Sequence, residues 1–254
     1  DNIDYIKNLG CTAIWLSPVF ENNPHSYHGY AIQNYLDVDQ RWGTKKDLER
    51  LVDKAHKLDI RVFLDVVLHH SGDNWSYPFD YDYYYANGER FPLGDWREKD
   101  RPLPIELRDP ELYNRKGQIR NFDKYPETQE GDFLTLKTFR NDGSPESEKL
   151  GKLLAAIHCY WIRETDVDGF RLDAVKHMKG QDISRFCSTI REYAYSLGKR
   201  NFFLFGEIIG NDETGNSYIG PKMLPEDQNV YYGLDSVLDH PLHSVLAGVI
   251  KGVS

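Results

Sequence analysis

Short apolar segments alternate with longer amphipathic segments along most of the chain. The apolar segments are rich in β-branched and aromatic residues, which is typical of strands buried on both faces. The amphipathic segments carry apolar residues three and four positions apart, a spacing that predicts helices. The predicted strands span residues 12–20, 61–68, 167–175, 202–209 and 230–238.

Start and stop signals mark the predicted helices. Thr44 is a helix cap followed three residues later by Asp47, and Ser144 is a cap followed by Pro145 at the first helical position. Gly10 is a stop signal for the helical rhythm at the start of the chain. The predicted buried stripes comprise Leu48, Leu51, Val52, Ala55 and Leu58 in one helix, Leu150, Leu153, Leu154, Ile157 and Trp161 in the next, and Ile183, Phe186, Ile190 and Leu197 in the last.

Apolar strands joined by amphipathic helices predict an α/β fold with a parallel sheet covered on both faces. A doubly wound sheet and a (β/α)8 barrel both satisfy this pattern. No glycine-rich phosphate loop follows a predicted strand, which argues against a nucleotide-binding fold. Barrel enzymes place their chemistry at the carboxyl ends of the strands, and charges recur there, so the pattern favours the barrel. These residues are Asp65 with His69 and His70, Arg171 with Asp173, Glu207, and Asp235 with Asp239.

One long connection interrupts the alternation. About 70 residues separate His70 from Ser144 without a long helical stripe, and a connection of this length is usually functional or a small subdomain. Asn87-Gly88 within it is a hairpin signal. Its aromatic rings fit two interpretations, a small core of their own or the lining of a binding cleft. They include Trp75, Tyr77, Phe79, Tyr81, Tyr83, Tyr84, Tyr85, Phe91 and Trp96.

Composition and charge exclude some classes of protein. The chain has 254 residues and a net charge of -9, which makes a nucleic-acid partner unexpected. No apolar stretch approaches the length of about 18 residues that a membrane span needs, so we expect no membrane partner. Cys11, Cys159 and Cys187 lie far apart, and we expect three buried free thiols. The compartment is not predicted.

The stretch DGFRLDAVKHM, residues 168–178, combines a buried-strand pattern with five charged or titratable residues. Residues two apart on a strand share a face, so Arg171, Asp173 and Val175 are predicted to point the same way. An adjacent guanidinium favours an ionised carboxylate, which predicts a low pKa for Asp173. Glu207 lies in the apolar run FFLFGEII, where it would hold its proton as a general acid must. Such a pair suits retaining glycoside hydrolysis, and the alternative is a buried ion pair that only joins two strands.

Four segments of the chain resemble signature segments of the α-amylase family, glycoside hydrolase family 13. They are DVVLHH at 65–70, GFRLDAVKH at 169–177, FGEI at 205–208 and YHGYAIQNYLDVDQRWGT at 27–44. The resemblance implies a (β/α)8 barrel with a domain B inserted after the third strand. It also implies an incomplete barrel, without the first strand, the last two strands and the third catalytic carboxylate. The implied domains are residues 1–71 with 144–254 for the barrel and 72–143 for domain B.

The resemblance also assigns roles to residues. Asp173 matches the nucleophile, Glu207 the acid/base, and Arg171 the residue that orients Asp173. The remaining implied substrate-binding residues are Tyr30, which would stack on the sugar, His70, which would hydrogen-bond it, Asp65 at the floor of the site, and Lys176 and His177 on the leaving-group side.

Calcium is the one metal that the resemblance raises. His69 stands where the family often has an Asn ligand, and imidazole is a poor ligand for calcium. Asp132 resembles a domain B ligand of the same ion, and His177 matches a residue whose carbonyl often completes the site. We therefore expect no required cofactor and a weak calcium dependence or none.

The function implied by the resemblance is a retaining α-glucan hydrolase of the α-amylase type that cleaves α-1,4 bonds of an α-glucan or malto-oligosaccharide. A glucanotransferase of the same family uses the same residues and remains open. A non-catalytic relative that acts as a binding subunit is a third interpretation, although Asp173 and Glu207 are both present. An aldolase is disfavoured because no lysine lies inside a predicted strand.

Overall fold

The computed structural model describes residues 2–79, 89–224 and 228–252. Within these residues, eleven strands run in chain order as β1 Ala13–Leu16, β2 Phe20–Asn22, β3 Ile32–Val38, β4 Arg61–Val66, β5 His70–Ser71, β6 Lys137–Thr138, β7 Gly169–Leu172, β8 Phe203–Gly206, β9 Pro221–Met223, β10 Val230–Tyr232 and β11 Ser236–Val237. The α-helices are α1 Ile3–Asn8, α2 Lys45–His56, α3 Glu127–Glu130, α4 Pro145–Thr165, α5 Gly180–Ser196, α6 Asp212–Asn216 and α7 His240–Lys251.

A parallel sheet of five strands forms the centre of the molecule, in the order β1-β4-β7-β8-β11. The spatial order of these five strands follows their order in the chain, so each of the three inner strands pairs with the sheet strand before it and the sheet strand after it. A doubly wound sheet would reverse direction at a switch point, whereas a barrel continues around one axis. The order therefore confirms the predicted fold class, a (β/α)8 barrel that is incomplete in these residues.

The predicted helix signals are confirmed at the start of α2 and α4. Thr44 and Asp47 form a reciprocal capping box, and Ser144 accepts a hydrogen bond from the Ser147 amide ahead of Pro145. The predicted stripe of α5 is wrong at its last member. The helix ends at Ser196, and Leu197 beyond it is 45% exposed.

All five predicted strands are shorter than the sequence pattern indicated, and two of them differ in a way that affects the site or the topology. The segment 167–175 leaves the strand after Leu172, and Ala174 has a φ of 51°, which no strand accommodates. Val175 therefore does not share the face of Arg171 and Asp173 but begins the 3-10 turn Val175–His177. The segment 230–238 divides into β10, which pairs with β9, and β11, which joins the central sheet.

Residues alternate between the two faces of the central sheet. Val62, Leu64 and Phe170 point outward and are fully buried under the helices. The inner face carries large aromatic rings, and Phe63 lies 5.8 Å from Phe205. Gly169 lies in this layer because a Cβ there would come within 2.5 Å of the Phe63 ring.

The described part of the long connection after β5 contains three 3-10 turns, Glu98–Asp100, Ile105–Arg108 and Pro110–Leu112, besides α3. It returns to the barrel where β6 pairs antiparallel with β5. Trp75 and Tyr113 are fully buried in it and support the mini-core interpretation, whereas Phe79 is 71% exposed. The proposed domain boundaries remain a prediction, and Tyr81, Tyr83, Tyr84, Tyr85 and Asn87-Gly88 lie outside the described residues.

All three cysteines are free thiols, as predicted, but their predicted burial is confirmed in full for Cys187 alone. Cys187 is buried, Cys159 is partly buried, and Cys11 is exposed because it follows the first helix at the surface, so its predicted burial is wrong. Among the described residues, no helix has the length and apolar character that crossing a membrane requires.

Candidate active site

Arg171 lies at the centre of a cluster of three carboxylates at the carboxyl end of the sheet. Its Nη1 donates to Asp65 Oδ1 at 2.9 Å and to Asp173 Oδ1 at 2.7 Å. Its Nη2 lies 2.9 Å from Glu207 Oε2. One guanidinium thus holds three acidic side chains, each of which follows or ends a different strand.

Strand register brings the cluster together. Asp65 on β4 pairs directly with Arg171 on β7. The backbone continues the parallel pattern past the strand ends, because the Asp173 amide donates to the Val66 carbonyl and the Glu207 amide to the Leu172 carbonyl, each at 2.9 Å. Asp65 and Arg171 thus lie at one level of the sheet, and Asp173 and Glu207 lie at the next level toward its carboxyl end.

The three carboxylates differ in how far their side chains are exposed to solvent. The side chain of Asp65 is fully buried, that of Asp173 is 11% exposed, and that of Glu207 is 27% exposed. The Glu207 carboxylate pairs with Arg171 as well as following an apolar strand, and its role as a general acid stays a prediction. Glu207 and Asp173 form the accessible side of the cluster, and Asp65 forms its floor.

The predicted low pKa of Asp173 is wrong. Burial raises the pKa of Asp173 to about 7, with Asp65 and Glu207 adding to the rise and Arg171 opposing it. Burial likewise raises the pKa of Asp65 to about 6. The sequence pattern identified the Arg171 guanidinium, which lowers the pKa of Asp173. It did not identify the burial of Asp173 or the two neighbouring carboxylates, which raise that pKa by more than Arg171 lowers it.

Two aromatic residues complete the floor. Tyr30 donates its hydroxyl to Asp65 Oδ2 at 3.1 Å, which places it beside the cluster, and its stacking on a sugar stays a prediction. Trp15 was not predicted. Its indole Nε1 donates to the same oxygen at 3.1 Å, and its ring lies 5.0 Å from the Arg171 guanidinium. The signal that could have identified Trp15 was its inward-facing position near the end of β1.

The remaining predicted substrate residues surround this cluster. His70 is buried in β5, and burial lowers its pKa to about 3, so its imidazole is neutral. Lys176 forms an ion pair with Asp123 of the long connection. His177 is buried, and its Nδ1 lies 2.6 Å from the Thr128 carbonyl oxygen. Lys176 and His177 therefore join the turn after β7 to the long connection.

The calcium candidates do not fit a calcium site. Asp132 is fully buried and accepts hydrogen bonds from the Tyr77 hydroxyl and the Thr138 amide, with Lys137 Nζ 3.8 Å away. His69 Nδ1 lies 3.2 Å from the Nδ1 of its neighbour His70. In the part of the chain that is described, no three His, Cys, Asp or Glu side chains converge as metal ligands.

A cavity of about 540 Å³ lies away from the carboxylate cluster, between α4 and α5. His69 and Asn141 line it, but Asp65, Arg171, Asp173 and Glu207 do not. The cavity is therefore separate from the candidate active site.

The buried ion-pair alternative does not account for the composition of the cluster. Two strands can be joined by one carboxylate and one guanidinium, whereas this cluster places three carboxylates on a single guanidinium. Burial raises the pKa values of Asp65 and Asp173 and is costly for the folded state. Such an arrangement is typical of a catalytic centre.

Comparison with known proteins shows the family. Residues 1–231 match the family described as "Alpha amylase, catalytic domain", and the chain belongs to this family. The most similar relatives include an α-amylase of Streptomyces lividans, 31% identical over 95% of this chain and 29% of the relative. A cyclomaltodextrin glucanotransferase of Klebsiella oxytoca is 27% identical over 85% of this chain and 32% of the relative.

A solved structure supports the same assignment. The α-amylase of Geobacillus thermoleovorans, crystallised with acarbose, superposes with a TM-score of 0.71 at 29% identity. The superposition covers 96% of this chain and 45% of that one. The chain thus spans less than half the length of these relatives.

Proposed function

We propose that the protein containing this chain is a retaining glycoside hydrolase that cleaves α-1,4 bonds in α-glucans. The observation that carries the proposal is the Arg171 guanidinium holding Asp173 and Glu207 from adjacent strands. Family membership supports the substrate class, since the relatives are named as α-amylases and glucanotransferases.

In the proposed first step, the Asp173 carboxylate attacks the anomeric carbon while Glu207 donates a proton to the glycosidic oxygen. The bond to the leaving sugar breaks, and a covalent glycosyl-enzyme forms on Asp173. In the second step Glu207 removes a proton from the incoming water, which attacks the anomeric carbon and releases Asp173. We expect the two carboxyl groups to lie about 5–5.5 Å apart, as retention requires.

The charge of the cluster suits the transition state of this reaction. Asp65 and Asp173, when ionised, carry two negative charges beside the single Arg171 guanidinium, which leaves an excess of negative charge in a largely dry site. The sugar becomes cationic in the transition state, and fixed negative charge stabilises it there more than in the ground state. Asp65 contributes to this field without touching the bond that breaks.

We assign the proposed binding residues to positions around the sugar from the roles that the family resemblance implies. The Tyr30 ring would stack on the sugar at the cleavage point, and the neutral His70 would hydrogen-bond that sugar. Lys176 and His177 would contact the leaving-group side.

The test uses the full-length protein with maltoheptaose. The first product resolved by proton NMR is expected to be the α-anomer, and Asp173→Asn and Glu207→Gln are each expected to lower kcat about a thousandfold or more. Asp53→Asn removes an exposed carboxylate of α2 and serves as the control. A β-anomer, or a Glu207→Gln variant with full activity, contradicts the proposal. Longer oligosaccharides among the products identify transfer to a sugar instead of to water.

A further inference from the structure

The turn Val175–His177 after β7 packs against the short helix α3 of the long connection. Besides His177 and Thr128, one buried side chain joins the two. Asn141 Nδ2 donates to the Gln129 carbonyl at 2.7 Å and to the His177 carbonyl at 3.4 Å. Asn141 is only 6% exposed, so its amide replaces water at both carbonyls.

Hydrogen-bond chemistry fixes the orientation of this amide. Both partners of Asn141 are carbonyl oxygens, which only accept, so the NH2 group must face them. A cation that bridged the two carbonyls would need the volume that the NH2 group occupies. The nearby Asp132 is also satisfied, by Tyr77, Thr138 and Lys137.

We propose that Asn141 is a positioning residue that holds this junction in the place of a divalent cation. Its two N–H groups donate hydrogen bonds to the Gln129 and His177 carbonyls and so hold them together, as a calcium ion would by coordinating both oxygens. The junction of this protein is accordingly independent of metal. The role in stability does not depend on the reaction catalysed, and the kinetic consequence below rests on the proposed function.

The junction is linked to the catalytic pair through the backbone. The amide of Val175, in the same turn as His177, donates to the Glu207 carbonyl at 3.1 Å. Asp173 lies two residues before that turn. Asn141 thus restrains a segment that follows Asp173 in the chain and is hydrogen-bonded to the backbone of Glu207, without itself contacting the cluster.

Asn141→Asp in the full-length protein tests this directly. The substitution keeps the shape of the side chain but replaces the NH2 group with an oxygen. That oxygen faces both the Gln129 and the His177 carbonyl oxygens and is repelled by them. It also completes three oxygen ligands for a cation, and the cavity that Asn141 lines gives an ion access to them. In EDTA we expect the Tm of this variant to fall about 5 °C below that of the parent, and calcium chloride to restore most of the loss.

Three further measurements separate the outcomes. The parent protein should have the same Tm in EDTA and in calcium chloride, and Asn141→Ala should lose stability equally in both. Under the proposed function, calcium should restore kcat of Asn141→Asp more than it changes KM. A parent whose Tm drops in EDTA, or an Asn141→Ala variant as stable as the parent, overturns the proposal even if Asn141→Asp does not fold. Loss of the proposed activity in every variant leaves the Tm comparisons intact.

Discussion

At the residue scale, Asp173 combines two properties that oppose each other. Its position beside Arg171 and Glu207 is what the proposed nucleophile needs. The same position buries an acidic group among other acidic groups and raises its pKa to about 7. A carboxylate in this setting lowers the stability of the fold that presents it.

This cost gives a pH-dependent prediction. An unfolded Asp has a pKa of about 3.9, so the folded state binds a proton on Asp173 that the unfolded state has released between about pH 4 and pH 7. The stabilising effect of that proton is fully present below pH 4 and is lost as the pH rises through about 7. Asp173→Asn should therefore be more stable than the parent by about 1–4 kcal/mol at pH 8 and no more stable at pH 4.

Thermal unfolding of both full-length proteins across this pH range measures the difference. Asp53→Asn, on the exposed surface of α2, is the matched control and should change the Tm little at any pH. An Asp173→Asn variant less stable than the parent at pH 8 would show that the Arg171 interaction outweighs the burial.

At the element scale, β7 carries acidic residues of different function at its two ends. Asp173 follows its carboxyl end, and Asp168 precedes its amino end. Asp168 accepts hydrogen bonds from the Val62 amide at 2.9 Å and from Arg61 at 3.1 Å, and it lies 2.7 Å from His56 Nε2. The lower end of the strand is thereby joined to β4 and α2, while the upper end carries the candidate site.

We predict that Asp168→Asn in the full-length protein lowers the stability by about 1–3 kcal/mol and leaves kcat/KM unchanged. The amide cannot satisfy both a backbone N–H and two basic side chains as the carboxylate does. Asp168 is about 16 Å of extended chain from Asp173, too far to contact the substrate there. Urea unfolding and maltoheptaose kinetics measure the two effects, and a fall in kcat/KM below the melting temperature would contradict the assignment.

At the scale of the whole molecule, the central sheet has two edges. β1 pairs only with β4 and β11 only with β8 among the described strands. The nearby helix α7 exposes apolar side chains to solvent. They are Leu242, Val245, Leu246, Val249 and Ile250.

We predict that the 254-residue chain expressed alone self-associates and has little activity. Open strand edges offer unpaired N–H and C=O groups to other chains, and uncovered apolar surface forfeits about 25 cal/mol per Å². Light scattering and maltoheptaose cleavage, compared with the full-length protein, measure both properties. A monomeric chain with full activity would contradict this prediction.

The sequence predicted the barrel and the position of Arg171, Asp173 and Glu207 because strand periodicity and motif residues are local properties. It did not predict Trp15, whose role depends on the register between β1 and β4. Nor did it predict the raised pKa of Asp173, which depends on how many carboxylates meet at one guanidinium. Asn141 has no local signal either, because its two acceptors belong to segments that only the fold brings together.

The separation of Asp168 from Asp173 has an evolutionary consequence. Four strand residues stand between them, so under the proposed function we expect substitutions near Asp168 to change thermal stability without changing the products. Under the same proposal, we expect substitutions around Asp173 to change the catalytic activity while the contacts of Asp168 preserve the fold. A lineage with this division can acquire a new acceptor specificity first and recover its thermal tolerance afterwards, through residues that never meet the sugar.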